Sequence, residues 1–250
     1  MAFQTVFKRY ELKYMITFEQ KEKILQVMAP YMELDRYGRT TIRNIYFDTD
    51  NYRLIRRSIE KPAYKEKLRI RSYSQATADS TVFVELKKKY EKVVYKRRLP
   101  LCERDAMAWV CREMTCPVNT QISREIDYFI DFYGKLNPSV FLSYEREAYC
   151  DKGGGNFRVT FDDTILCRQT DLSLCSEVYG TPILPDGRIM MELKCSGGIP
   201  LWMVDVLSRE RIYKDSFSKY GTAYSTLIFP DIYLPKSTKH KESITNECNV

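Results

Sequence analysis

Polar and apolar positions alternate with a period of two along at least six stretches of this 250-residue chain. Charges fall at Arg9, Glu11 and Lys13; at Lys65, Lys67, Arg69 and Arg71; at Glu85 and Lys87; at Lys96 and Arg98; at Arg158 and Asp162; and at Glu192 and Lys194. Their neighbours are apolar: Leu12 and Tyr14, Leu68 and Ile70, Val84 and Leu86, Val159 and Phe161, Met191 and Leu193. Successive side chains of a strand point to opposite faces, so each charged set shares one face and each apolar set the other. A helix is predicted after the first strand, where Thr17 and Gln20 form a capping box ahead of Ile24, Val27 and Met28. Pro30 ends it.

The pattern continues with a strand over 41–48, a short helix or loop over 50–57, the basic strand at 65–73 and a turn at 76–80. Strands over 81–88 and 93–101 make a hairpin. Helices follow over 104–114 and 120–136, the second carrying Ile122, Ile126, Phe129 and Ile130 at helical spacing. Strands resume at 140–149, 157–161 and 188–194, and helices at 201–213 and 222–228 complete the pattern. One sheet has two edges, so edge protection does not explain charges on six strands. An antiparallel sheet with one wet face accommodates them, but closure explains them better, because it turns all charged faces toward one axis, and about eight strands enclose room for one slender ligand. The predicted fold is α+β: an antiparallel eight-stranded closed β-barrel braced by helices, one domain over 1–233, with a polar, disordered tail over 234–250.

Composition narrows the chemistry. With 44% hydrophobic residues, 19 Tyr and 12 Phe, a sizeable core of half-buried strands is expected. The net charge of +7, from 40 Lys and Arg against 33 Asp and Glu, favours an anionic partner without naming one. Eight cysteines contain no CxxC pair, and the single histidine, His240, lies in the polar tail, which removes zinc sites and a Cys/His dyad from consideration. No apolar run has the length of a signal peptide or membrane span, so a cytoplasmic protein without a transmembrane segment is expected. The triple glycine at 153–155 lacks the GK[ST] of a P-loop, and no basic-aromatic interleaving indicates nucleic acid.

The inward charges mix many cations with four carboxylates, Glu11, Glu85, Asp162 and Glu192. A chain of phosphates is slender and rich in acceptor oxygens, and it suits Arg forks and Lys point charges. Carboxylates facing such a ligand are useful where Mg²⁺ or Mn²⁺ bridges protein and phosphate oxygens. For Glu11, Glu85 and Asp162, pairing with a neighbouring cation is an equally good role. Glu192 is the favoured metal ligand.

The segments FKRYELKY, IYFDT at 45–49, YKEKLRIRSY at 64–73, VFVELKKKY at 82–90, VYKRR at 94–98, LSYEREAY at 142–149, RVTFDDTI at 158–165, MELK at 191–194 and SFSKYGTAYS at 216–225 together resemble the VTC (vacuolar transporter chaperone) domain of polyphosphate polymerases. That family belongs to the triphosphate tunnel metalloenzymes, relatives of the CYTH proteins. The resemblance implies a tunnel that binds ATP and inorganic polyphosphate, with transfer of the γ-phosphoryl to the growing chain. It places phosphate-binding and catalytic roles on Lys13, Lys67, Arg69, Arg71, Lys87, Lys96, Tyr144, Arg146, Ser218 and Lys219, and the metal on Glu192. Arg9, Glu11, Arg98, Arg158, Asp162 and Lys194 join them by strand parity. Ser216 stands where a polymerase can carry a further lysine. The chain shows neither the SPX sensor nor the membrane helices of eukaryotic relatives, so a stand-alone bacterial type is expected, peripheral at the inner membrane face if it works with a separate membrane protein. A tunnel triphosphatase and a non-catalytic polyphosphate-binding module are the competing readings.

Overall fold

A computed structural model describes residues 10–230 except residue 92. Arg9 and the tail predicted from 234 lie outside the described residues. In chain order the elements are β1 (Tyr10–Thr17), α1 (Phe18–Met28), β2 (Met32–Asp48), α2 (Arg53–Ile59), β3 (Tyr64–Ser72), β4 (Thr81–Tyr90), β5 (Val93–Cys102), α3 (Glu103–Val110), α4 (Gln121–Tyr133), β6 (Asn137–Asp151), β7 (Arg158–Arg168), β8 (Thr181–Pro182), β9 (Arg188–Cys195), α5 (Leu201–Arg209), β10 (Lys214–Asp215) and α6 (Lys219–Ala223). A π-helical turn, Tyr224–Ile228, continues α6. Eight strands are long, as the alternation predicts; β8 and β10 have two residues each.

The strands form one antiparallel sheet in the order β10-β1-β9-β7-β6-β2-β3-β4-β5, with β8 beside β7. Here the structure corrects the expected closed barrel. No ladder joins β5 to β1 or β10 among the described residues, so the sheet curls without completing its hydrogen bonds. Side chains bridge the gap instead: Lys87 Nζ on β4 lies 2.7 Å from Glu11 Oε2 on β1.

The outer face carries two apolar clusters. In one, Leu68, Ile70, Val82, Val84, Leu86 and Leu99 meet Ala106, Trp109 and Val110 of α3 and Ile126, Phe129 and Ile130 of α4. In the other, Tyr14, Ile16, Phe161, Met191 and Leu193 pack on Ile24 and Met28 of α1 and Met203 and Val206 of α5. The capping box sets the start of α1, with Gln20 N donating to Thr17 Oγ1 and Thr17 N donating to Gln20 Oε1.

A third cluster corrects the picture of a wholly wet interior. Ile42, Tyr46, Leu142, Tyr144, Ile165 and Met190 share the inward side and are covered by Tyr220, Ala223, Tyr224 and Ile228 of the C-terminal helical segment. Tyr220 stacks on Tyr46, their ring centroids 4.7 Å apart. Its hydroxyl donates to Asp48 Oδ2 at 2.9 Å, and Asp48 also accepts the backbone N–H groups of Thr49, Leu54 and Ile55. One carboxylate thus ties α2, the end of β2 and α6 together. β2 begins at Met32 rather than 41 because Met32, Glu33 and Leu34 pair with Asp151, Cys150 and Tyr149 of β6, ahead of a register shift between Leu34 and Arg39; this first half is mostly polar and exposed and shows no alternation.

Candidate active site

Register assembles the site. The pairing of β3, β4 and β5 sets Arg69, Glu85 and Arg98 in one row and Lys67, Lys87 and Lys96 in the next. Glu85 is 1% exposed and sits in a box of cations: Arg69 Nε and Nη2 at 2.9 and 2.8 Å, Arg98 Nε at 2.8 Å, Lys96 Nζ at 2.6 Å and Arg71 Nε at 3.8 Å. Burial pushes its carboxyl up, but Arg71, Arg69, Lys96 and Arg98 outweigh burial and hold it well below the usual range. Arg69 Nη1 also donates to Tyr46 Oη at 2.8 Å, and Arg71 donates to Asn44 Oδ1 at 3.0 Å and Tyr144 Oη at 3.3 Å.

Opposite stand β1, β9 and β7, which align Lys13, Glu192 and Thr160 in one row and Glu11, Lys194 and Arg158 in the next. Lys194 Nζ lies 3.1 Å from Glu192 Oε2. Burial raises the Glu192 carboxyl, yet Lys194, Lys13, Lys87 and Arg146 together hold it well below the usual carboxylate range. Arg146 grips Asp162 with two parallel bonds of 2.6 and 2.7 Å, and Lys219 reaches the same carboxylate at 2.6 Å. Asp162 is fully buried, and burial is overcome by Arg146 and Lys219, which keep its carboxyl down at about 2.

The C-terminal segment enters this space. Lys13 Nζ donates to the Phe217 carbonyl at 2.8 Å and Lys67 Nζ to Ser218 Oγ at 3.0 Å; Ser218 in turn caps α6. Lys13, Lys67, Arg69, Arg71, Lys87, Lys96, Arg98, Arg146, Lys194 and Lys219 therefore surround only four carboxylates. The surplus shows in the lysines. Burial brings Lys13 down to about 8 against the pull of Glu192, burial and then neighbouring cations bring Lys67 to about 7, and burial brings Lys96 to about 6 against the pull of Glu85. Tyr144 is drawn down to about 8: burial raises its phenol, but Arg146, Arg71 and Lys219 prevail. A cage holding this much uncompensated positive charge suits a ligand carrying several negative charges.

Arg9 lies outside the described residues; of the expected residues that the structure describes, Arg158 stands apart from the cage. Its side chain is 46% exposed at the rim and lies 3.8 Å from Asp35. Glu85 and Asp162, expected among metal ligands, are instead enclosed as counter-ions of their cations. Glu192 and Glu11 are the other two carboxylates; burial and the nearby Glu192 push the Glu11 carboxyl up, but Lys87 and Lys194 prevail and hold it below its ordinary value. Among the described residues no three His, Cys, Asp or Glu side chains gather into a metal-holding group. Two carboxylates give the hard oxygen donors that Mg²⁺ or Mn²⁺ prefers, provided that phosphate or water oxygens complete the shell. The Thr160 hydroxyl, buried opposite Glu192 and without a partner, fits an additional oxygen ligand there.

Sequence reasoning missed Asn44, Tyr46, Asp48 and Thr160. Ile42, Asn44, Tyr46 and Asp48 share the inward parity, but with Ile45 and Phe47 between them β2 is buried on both faces and shows no alternation.

A family model for the VTC domain matches residues 8–228. No curated protein sequence matches the chain. Among solved structures, one described as a "putative adenylate cyclase" from Bacillus halodurans is similar with a TM-score of 0.54 and 14% identity, covering 86% of this chain and 96% of that one. A second so described, from Vibrio parahaemolyticus, has a TM-score of 0.45 and 9% identity, covering 87% of this chain and 98% of its own. A Pyrococcus horikoshii protein has a TM-score of 0.42 and 14% identity with the same coverage. The first likeness shows a shared fold.

Proposed function

The chain belongs to the VTC domain family, and from that membership and the cationic cage we propose that it is an ATP:polyphosphate phosphotransferase, dependent on Mg²⁺ or Mn²⁺. The observation that carries this reading is the convergence of ten Lys and Arg side chains on four carboxylates inside a curled sheet. In phosphoryl transfer the protein contributes positioning and charge neutralisation rather than covalent chemistry.

Arg69, Arg71 and Arg98, locked around Glu85, form a rigid wall of N–H donors for phosphate oxygens. Arg146 and Lys219, fixed on Asp162, face them from β6 and α6. Lys13, Lys67 and Lys96 supply movable point charges, which gain protons when a polyanion enters; Lys87, which Glu11 and Glu192 hold charged against burial, supplies a fourth. Tyr144 and Ser218 offer hydroxyls, Lys194 orients Glu192, and Arg158 meets phosphate at the rim. Glu192, with Glu11, would hold the divalent ion, which supplies Lewis-acid neutralisation of the phosphoryl oxygens when bound.

The test is Glu192→Ala under metal titration. Turnover of ATP is expected to fall at least about 100-fold, since several kcal/mol of charge stabilisation is at stake. Metal-free binding of tripolyphosphate, measured by calorimetry, is expected to persist. Unchanged turnover in the variant would remove Glu192 from the mechanism.

A further inference from the structure

The cations do not stop at the cage. Lys65, next in the inward row of β3, donates its ammonium to the Ser58 carbonyl of α2 at 3.1 Å, which carries the charge from the sheet to that helix. Register sets Lys65 opposite Lys89 and Lys67 opposite Lys87, and Lys61 lies just before β3, so these lysines share one end of the sheet; burial lowers the Lys65 ammonium, and Lys89, Lys61 and Lys87 lower it further. The turn between β4 and β5 lies there too, with Glu91 N donating to Ala63 O at 2.6 Å. Lys65 and Arg57 line one surface hollow with Leu54, Tyr64, Glu66 and Tyr133. Arg57 also lines the next, an open concavity of about 440 Å³, with Arg53, Arg56, Asn51 and Glu60.

Exposed arginines without an ion pair among the described residues occur elsewhere, at Arg36, Arg124, Arg188 and Arg211, but Arg53, Arg56 and Arg57 are the ones that line a common concavity. Arg39, Arg97, Arg104, Arg112 and Arg209 each pair with a carboxylate. Arg53, Arg56 and Arg57 are exposed and form no ion pair among the described residues, and Glu60 is the only carboxylate in the wall of the concavity. They are nonetheless held in place. The Arg53 guanidinium lies 5.4 Å from the centre of the Tyr133 ring, and Arg56 Nη1 donates to the Asn51 carbonyl at 3.5 Å. Asp48 anchors the whole helix through the N–H groups of Leu54 and Ile55.

We infer that Arg53, Arg56 and Arg57 form an external landing for a long polyphosphate chain, reached from the cage through Lys87, Lys65, Lys61 and Lys89. This rests on the proposed function and extends it. A linear polyanion with a charge on every unit gains from a continuous line of cations, whereas tripolyphosphate ends within the cage. The landing would hold the emerging end of the polymer and so favour long chains over short ones.

The experiment compares wild type with Arg53→Gln/Arg56→Gln/Arg57→Gln, and with Lys61→Gln/Lys89→Gln as an independent pair, for binding of long-chain polyphosphate and of tripolyphosphate at one fixed salt concentration. Three exposed charge contacts, each contributing a few-fold, predict long-chain binding weakened by about tenfold in the triple variant. Tripolyphosphate binding and the melting temperature are expected to stay within error of wild type. Long-chain binding equal to wild type in both variants, or equal losses for long and short ligands, would overturn the landing. So would a single-stranded oligonucleotide of matched charge that binds wild type as tightly and loses as much, since the surface would then serve nucleic acid. Failure of wild type to bind tripolyphosphate is a separate result: it would bring down the reading of the cage itself, and the landing with it.

Discussion

At the scale of single residues, Glu85 shows what the cage is built to do. It neutralises one charge among Arg69, Arg71, Lys96 and Arg98, leaving a surplus of positive charge that a polyanion would balance under the proposed function. Removing one member of a buried ionic cluster costs about 3–5 kcal/mol, so Glu85→Gln is expected to lose about that much stability in denaturant titrations. Added tripolyphosphate should raise its melting temperature more than that of wild type, because the ligand then supplies the missing counter-charge. The lysines give a signed pH dependence. Lys67 sits near 7 when folded but at its ordinary value near 10.5 when unfolded, so between those values the unfolded chain binds more protons. Stability of the ligand-free protein should therefore rise from pH 7 to 8.5, with the full penalty of charging Lys67 present below 7. A polyanion reverses the preference by drawing protons onto Lys67, so tripolyphosphate affinity should fall over the same interval, with proton uptake measurable in buffers of different ionisation enthalpy. Affinity that is flat or rises with pH would contradict the assignment. The lysines were legible in sequence because Lys65, Lys67, Arg69 and Arg71 recur at every second position of YKEKLRIRSY, Glu66 alone breaking the apolar set between them; their burial was not, since it depends on strands distant in the chain.

At the scale of elements, the readable ones were those with one wet and one dry face. β3, β4, β5 and β9 fall within one or two residues of their predicted bounds, and the start of α1 was given by the pair Thr17 and Gln20. The first half of β2 was hidden because Glu33, Asp35, Arg36 and Gly38 carry neither period. The expected strand ended at 161, although parity already put Asp162 on its charged face, whereas β7 runs on to Arg168; Thr164 marks an irregularity, with φ of 46°, where the register to β6 shifts. The C-terminal helix was expected to begin at 222, whereas Ser218 caps it from within the cage. Asp48 links that helix to α2, so Asp48→Ala removes the acceptor of three backbone N–H groups and of the Tyr220 hydroxyl. A loss of about 2–4 kcal/mol is expected from these combined contacts, with faster amide exchange in α2 and α6. Exchange confined to α1 and α5 would show that the anchor lies elsewhere.

At the scale of the whole molecule, alternation implied convergence correctly and closure incorrectly. The sheet bends far enough to bring Lys87 within 2.7 Å of Glu11, yet its edge strands remain unpaired, and the C-terminal segment occupies part of the interior. No period in a sequence reports whether the last strand meets the first, nor which helix fills a concave face; both depend on the accumulated twist of all strands. Among the described residues no helix is long and apolar enough to cross a membrane. What the curled sheet provides is a concave face on which ten cations and the Glu192 carboxylate converge, the arrangement on which the proposed function rests. That arrangement is tested most directly by incubating the protein with labelled ATP, Mn²⁺ and a short polyphosphate primer and resolving the products on a gel. The account predicts a ladder of lengthened primer that disappears in Glu192→Ala, whereas release of orthophosphate alone, with the primer unchanged, would contradict it.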